Sequence, residues 1–169
     1  MTSISPPPFR IYLLRHAEAA AAQSGGRDFD RPLNDNGFAA AEIVADQAVD
    51  KGYRPELVIS STAARCRQTA EAVRRSLDPS VEFRFVDSLY NGTRETYLAL
   101  LAAQTTVNSV MLVGHNPNIL QTLEALIGHD ALAKALPKGF PTAGLAVLEP
   151  IEDAGAASNG WLLADFVSE

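Results

Sequence analysis

Ile11-Tyr12-Leu13-Leu14 runs apolar into Arg15-His16, and far down the chain Val110-Met111-Leu112-Val113 runs apolar into Gly114-His115. A short continuous apolar run is the pattern of a strand buried on both faces, so each histidine is expected just past a strand C-terminus. Open α/β sheets hold their ligands at that edge. A third run, Leu57-Val58-Ile59, ends in Ser60-Ser61 and leads into a helix that carries Arg65 in its first turn. Three strand ends therefore deliver two imidazoles and two guanidiniums, Arg15 and Arg65. That set fits an anionic, tetrahedral substrate.

Around these runs the apolar pattern alternates between strand and helix periods, as in parallel strands joined by crossovers. Strands are expected at residues 9–14, 57–60, 81–86 and 110–113. Helices are expected over 34–51, 63–77 and 95–104, and from Asn116 to near Gly128. Asn34 reads as an N-cap, with Leu33 and Phe38 as a hydrophobic staple and Gly52 as the stop. Asn116-Pro117 reads as an N-cap followed by proline at the first helical position. Residues 144–149 and 161–167 read as strands flanking a long hairpin connection over 155–160. Residues 19–32 read as a polar loop with Gly25-Gly26 as its flexible point. The expected fold is α/β, a three-layer α/β/α sandwich around a mostly parallel central sheet.

The chain has 169 residues, 47% of them hydrophobic and 20% charged, an ordinary balance for a globular protein. One domain over residues 9–169 is expected, preceded by a loose tail over residues 1–8. A net charge of −6 argues against a nucleic-acid surface. Nothing at the start resembles a signal peptide, and no run is long enough to span a bilayer, so a cytoplasmic location with no membrane partner is expected. The single cysteine, Cys66, excludes an internal disulfide and is compatible with a reducing compartment. The three histidines lack the close spacing of zinc ligands, so neither a metal nor another cofactor is expected.

The chemistry follows from residue type. A neutral imidazole can attack phosphorus to give a phosphohistidine that water later cleaves, and His16 is the candidate nucleophile. Phosphoryl transfer spreads charge over three oxygens, which guanidiniums neutralise bidentately without a metal. Arg15 and Arg65 suit that role. His115 is a further donor to the same oxygens, most useful when protonated, and Gly114 would let the backbone approach the oxyanion.

At these residues the chain resembles the histidine phosphatase superfamily, in its phosphoglycerate-mutase-like branch. The resemblance lies in Leu13-Leu14-Arg15-His16-Ala17-Glu18, in the stretch from Ser60 to Glu71 that includes Arg65-Cys66-Arg67-Gln68-Thr69, and in Val113-Gly114-His115-Asn116-Pro117. It implies a nucleophilic His16, with Arg15, Arg65 and His115 as its catalytic partners. Arg31, in Arg31-Pro32-Leu33-Asn34-Asp35-Asn36-Gly37, resembles a segment that flanks the pocket in relatives and is a candidate substrate contact.

Departures from the larger relatives bear on the substrate. Ester-cleaving members use a carboxylic acid to protonate the leaving alkoxide and carry a long insertion between the second arginine and second histidine. Here only the residues between 65 and 115 separate the two, and the segment that presents the acid reads Ser88-Leu89-Tyr90-Asn91-Gly92. This is similar to the short SixA-type phosphohistidine phosphatases. A P–N bond leaves as imidazole, which needs no dedicated acid. The resemblance thus implies hydrolysis of phosphohistidine on a protein, such as a histidine phosphotransfer domain. A phosphatase of small phosphate esters is the alternative, with Glu18, Asp87 or Glu95 as the acid. A mutase, or a non-catalytic phosphate-binding module, fits less well.

Other residues have plainer readings. Arg67, Arg74 and Arg75 are solvated helix charges, His129 ends a helix at the surface, and Cys66 is a small buried filler. Tyr90 is either a core aromatic or a pocket wall.

Overall fold

The computed structural model describes residues 10–151 and 160–169. The strands are β1 (Arg10–Arg15), β2 (Leu57–Ser61), β3 (Glu82–Val86), β4 (Ser109–Gly114), β5 (Leu145–Pro150) and β6 (Trp161–Val167). The helices are α1 (Asp35–Asp50), α2 (Ala64–Ser76), α3 (Ser88–Asn91), α4 (Arg94–Ala102), α5 (Asn118–Ile127) and α6 (His129–Ala135), with a 3₁₀ turn at Asp28–Asp30. The expected tail over residues 1–8 and the hairpin connection as far as residue 159 lie outside the described residues.

The strands form one sheet in the order β3-β2-β4-β1-β5-β6. β3, β2, β4 and β1 are parallel, and β5 and β6 close one side antiparallel, so the sheet is mostly parallel as expected. Side-chain alternation splits each central strand between two cores. Tyr12 and Leu14 pack with α1 and α2 on one face, whereas Ile11 and Leu13 pack with α4, α5 and α6 on the other. Burial on both faces explains why β1 and β4 read as unbroken apolar runs. Edge strand β3 instead alternates, with Phe83 and Phe85 against the core and Glu82 and Arg84 in solvent.

α1 buries Ala40, Ala41, Val44, Ala45 and Ala48, a stripe at helical spacing whose small side chains let it lie close against α2. Asn34 caps it, its side chain accepting from Gly37 N at 2.8 Å, and Gly52 at φ +84° follows its end. The expected staple does not close into a buried pair, since Leu33 is buried and Phe38 is exposed.

Two helix boundaries differ from expectation. α5 starts at Asn118 rather than after an Asn116 cap, because Asn118 Nδ2 donates to Gly92 O and ties the first turn to the α3–α4 connection. His129 opens α6 instead of ending α5, because Gly128 at φ +93° turns the chain between the two helices. Its imidazole sits 3.0 Å from Glu124, whose carboxylate raises its pKa.

Gly114 is needed for packing. A Cβ there would lie 2.6 Å from Tyr97 Oη and 2.7 Å from its Cε2. Fully buried Tyr97 donates to Leu89 O at 2.8 Å and accepts from His115 N at 3.1 Å, so it has no room to yield. Gly114→Ala is expected to cost about 2–3 kcal/mol by overpacking and loss of these bonds. Urea unfolding checks this, and an unchanged midpoint would refute it.

Candidate active site

Parallel pairing aligns Arg15 of β1 with Gly114 of β4, so the next residues, His16 and His115, emerge side by side. Their ring centroids are 5.4 Å apart. After β1 the chain passes to α1 on one face of the sheet, and after β4 to α5 on the other. Diverging connections of this kind open a crevice at the strand ends. β2 flanks β4 on the other side, and α2 follows it directly, which brings Arg65 to the same crevice. The result is a pocket of about 660 Å³ whose lining includes Arg15, His16, Arg31, Arg65 and His115, all five residues expected at the site. Glu18, Asp28, Tyr90, Asn116, Asn118 and Thr142 complete most of the wall.

His16 is fixed by its own backbone and by its ring. Its N–H donates to Gly114 O at 3.0 Å, and its carbonyl accepts from Ala143 N at 3.1 Å. Nδ1 lies 2.7 Å from Ala17 O, and a carbonyl can only accept, so Nδ1 carries the proton and Nε2 keeps its lone pair. Burial lowers the pKa to about 4 against the Ala17 carbonyl, with Arg65, Arg15 and Arg31 adding repulsion of the imidazolium. The ring is therefore neutral at pH 7, with a free nitrogen.

The two arginines are anchored at their tips and open along their stems. Arg15 Nη1 donates to Phe140 O at 2.7 Å, and Arg65 donates from Nη1 to Asp28 O at 2.9 Å and from Nη2 to Asp28 Oδ2 at 3.1 Å. Arg15 Nε and Arg65 Nε are buried donors without a partner among the described residues. Buried donors are rarely left so, because each forfeits its hydration. Two such donors in one pocket are ready for an anion.

Asp28 was not anticipated. It sits on the 3₁₀ turn in the polar loop, and its carboxylate accepts from Arg65 Nη2, from Arg31 Nε at 3.0 Å and from Tyr90 Oη at 2.9 Å. Burial acts to raise its pKa, but the donors Tyr90, Arg31 and Arg65 outweigh it and bring the value down to about 2. The only sequence signal was the alternating run Arg27-Asp28-Phe29-Asp30-Arg31, which is equally consistent with a solvated loop. That loop is tied down in part. Ala20 N donates to Pro32 O, Arg31 Nη1 donates to Ala20 O, and Ala19 bridges Leu33. Tyr90 is a pocket wall, edge-on to the His115 ring at 5.5 Å and to Phe29 at 5.1 Å.

His115 is buried, with Nε2 at 2.8 Å from Ser61 Oγ and 3.4 Å from Cys66 Sγ. Burial lowers its pKa to about 3, with help from Arg65 and His16, so the ring is neutral in the unliganded protein. Cys66 is fully buried, and desolvation pushes its thiol up to about 12, which leaves it an inert filler. Of the candidate acids, Glu18 alone lines the pocket, where it accepts from Asn34 Nδ2 at 2.7 Å. Asp87 accepts from Thr62 and Glu95 pairs with Arg94, both away from the pocket lining. Arg67, Arg74 and Arg75 are exposed helix charges, Arg67 lying over Phe85 and Arg74 over Phe83.

Both lowered histidines make stability depend on pH. The unfolded chain, with imidazoles near 6.5, takes up protons before the folded one does. Their contribution is therefore complete above pH 6.5 and is lost as the pH falls from there toward the folded values. Between pH 7 and pH 5 the wild-type Tm is expected to drop further than that of His115→Asn. Equal drops would show that His115 is not held neutral by the fold.

Residues 11–91 match the histidine phosphatase superfamily (branch 1). A solved structure from Agrobacterium tumefaciens, described as a candidate phosphohistidine phosphatase SixA, is 56% identical with a TM-score of 0.88, covering 96% of this chain and 99% of its own. A second SixA candidate, from Nakamurella multipartitia, is 30% identical with a TM-score of 0.73, covering 93% and 94%. An uncharacterised chloroplastic protein of Arabidopsis thaliana is 31% identical over 99% of this chain and 79% of its own length. With the three strand-end motifs converging in one pocket, these likenesses show that the chain belongs to the histidine phosphatase superfamily, among its SixA-type phosphatases.

Proposed function

We propose that the protein removes the phosphoryl group from phosphohistidine on a protein substrate, such as a histidine phosphotransfer domain, by way of a phospho-His16 intermediate. His16 Nε2 attacks phosphorus, the P–N bond to the substrate breaks, and its electron pair leaves with the substrate imidazole. Water then attacks phospho-His16, the second P–N bond returns its pair to the His16 ring, and the protons of the water leave with the phosphate product and solvent. Arg15 and Arg65 hold the phosphoryl oxygens as charge builds on them. A Ser61 hydroxyl donating to His115 Nε2 leaves the proton on Nδ1, so that His115 donates even when neutral. Arg31 carries positive charge at the same mouth.

The observation that carries this reading is the pair of buried, unpartnered Nε donors of Arg15 and Arg65 in the pocket of His16. Three phosphoryl oxygens would satisfy both. For the substrate class, the support is the state of the pocket carboxylates. Asp28 is held ionised by three donors and is a poor proton source for an alkoxide. Glu18, which does line the pocket, favours the second reading, a phosphatase of small phosphate esters.

The discriminating experiment is kcat/KM on a phosphohistidine peptide beside an alkyl and an aryl phosphate, with His16→Ala as the blank. The peptide is expected to exceed the alkyl ester by about 10²-fold or more, the worth of an absent general acid. A preference for the alkyl ester would move the assignment to small esters, with Glu18 as its acid. Activity is also expected to survive a chelator; loss that a divalent ion restores would overturn the metal-free mechanism.

A further inference from the structure

We infer that Asp28 is the residue that recognises the leaving imidazole and so sets the preference of the pocket for a P–N over a P–O bond. The inference rests on the substrate reading above and assigns a residue to it.

A carboxylate beside a phosphoryl site acts against phosphoryl binding. It repels the incoming anion and takes up part of the Arg65 guanidinium, which donates to its Oδ2 at 3.1 Å. Yet it is held there by design of the fold: Arg31 Nε donates to Oδ1 at 3.0 Å and Tyr90 Oη to Oδ2 at 2.9 Å. An ionised carboxylate offers about four acceptor positions, and three donors leave one free. The side chain is 52% exposed and lines the pocket, so a ligand there can reach the carboxylate. A second acceptor in the same wall, Asn116 Oδ1, is buried without a partner among the described residues. The pocket thus holds two kinds of unmatched groups: donors on the arginine stems, suited to phosphoryl oxygens, and acceptors on Asp28 and Asn116, suited to an N–H.

A phosphorylated imidazole carries both complements. When its second ring nitrogen is protonated, the ring is cationic and presents an N–H, which a carboxylate stabilises by a charge-assisted bond. Cleavage then needs no proton transfer. The P–N electron pair goes to the ring nitrogen, the bond from His16 Nε2 to phosphorus forms, and the ring departs as neutral imidazole with its proton already in place. An alkoxide has no N–H to offer and is repelled by the same carboxylate.

The test is the ratio of kcat/KM on a phosphohistidine peptide to kcat/KM on an aryl phosphate, whose leaving group bears no N–H. Asp28→Asn keeps an acceptor for Arg65 and removes the charge. Its ratio is expected to fall about tenfold or more, the scale of one charge-assisted bond. Asp28→Glu, which restores the charge, should keep a ratio well above that of the Asn variant. A ratio unchanged in Asp28→Asn, whatever loss the two substrates share, would mean that Asp28 only positions Arg65, and would overturn the inference. A Glu variant no better than Asn would do the same. If the wild-type protein cleaves the aryl phosphate but not the peptide, the substrate reading itself falls; peptide turnover with an unchanged ratio removes Asp28 alone.

Discussion

Replacing His16 by alanine is expected to lower turnover of a phosphohistidine peptide by about 10⁴-fold or more and to abolish any acid-labile phosphoenzyme. The size follows from what the substitution removes. The ring is oriented by one hydrogen bond to Ala17 O and kept neutral by burial, so its second nitrogen is available at every pH above about 4. Among the described residues the other imidazole of the pocket does not replace it, because His115 Nε2 is turned toward Ser61 and Cys66. Arg15 and Arg65 take their anchoring bonds from Phe140 and Asp28, not from His16, and remain in place. The loss should therefore appear in kcat, with binding of inorganic phosphate largely retained. Rapid-quench labelling with a radiolabelled phosphohistidine peptide, followed by acid and base treatment, reads the intermediate directly. Retained turnover in the variant, with no trapped phosphoenzyme in the wild type, would rule out the covalent route.

Arg65→Ala is expected to reduce kcat/KM by about 10²–10³-fold, the usual cost of removing a preorganised charged donor from a developing oxyanion. Arg65 is 6% exposed, so its charge acts with little screening by solvent. Its removal has a second effect, because Asp28 Oδ2 loses its charged donor, keeps only Tyr90 Oη, and faces the phosphoryl group less neutralised. On an aryl phosphate, whose leaving group has no N–H for Asp28, adding Asp28→Asn to Arg65→Ala should therefore recover part of the loss, a coupling that a double-mutant cycle measures. Arg65→Lys should recover little, since an ammonium cannot serve the Asp28 carboxylate, the Asp28 carbonyl and a phosphoryl oxygen in the fixed geometry of the guanidinium fork. An Arg65→Ala variant with wild-type kcat/KM would exclude this residue from the site.

Strand order cannot be read from the chain, but the strands themselves could. β1, β2 and β4 are buried on both faces along their middles, and that environment strongly favours apolar side chains, so their composition marks them without reference to neighbours. α1 announced itself by its alanine stripe, the Asn34 cap and the Gly52 stop, all local signals. α3 and α6 went unread because helices of four and seven residues are too short to show a period. His129 was misplaced for the same reason. The packing need at Gly114 went unread because the Tyr97 ring that a Cβ there would strike comes from α4 and has no signature in the sequence around Gly114.

The sequence by itself determined the layered α/β class, the strand ends that carry Arg15, His16, Arg65 and His115, and hence the family. These depend on burial patterns and short motifs, which are properties of contiguous residues. Only the tertiary structure decided the state of the site. Side-by-side histidines require the β1–β4 register, neutral imidazoles require their desolvation, and the unmatched arginine donors require knowing every partner nearby. Asp28 is the clearest case. In the chain it is one acid in a polar loop, and it becomes part of the pocket because Arg31, Arg65 and Tyr90 converge on it from separate segments. Electrostatic environment is a sum over neighbours in space, and sequence lists neighbours only along the chain.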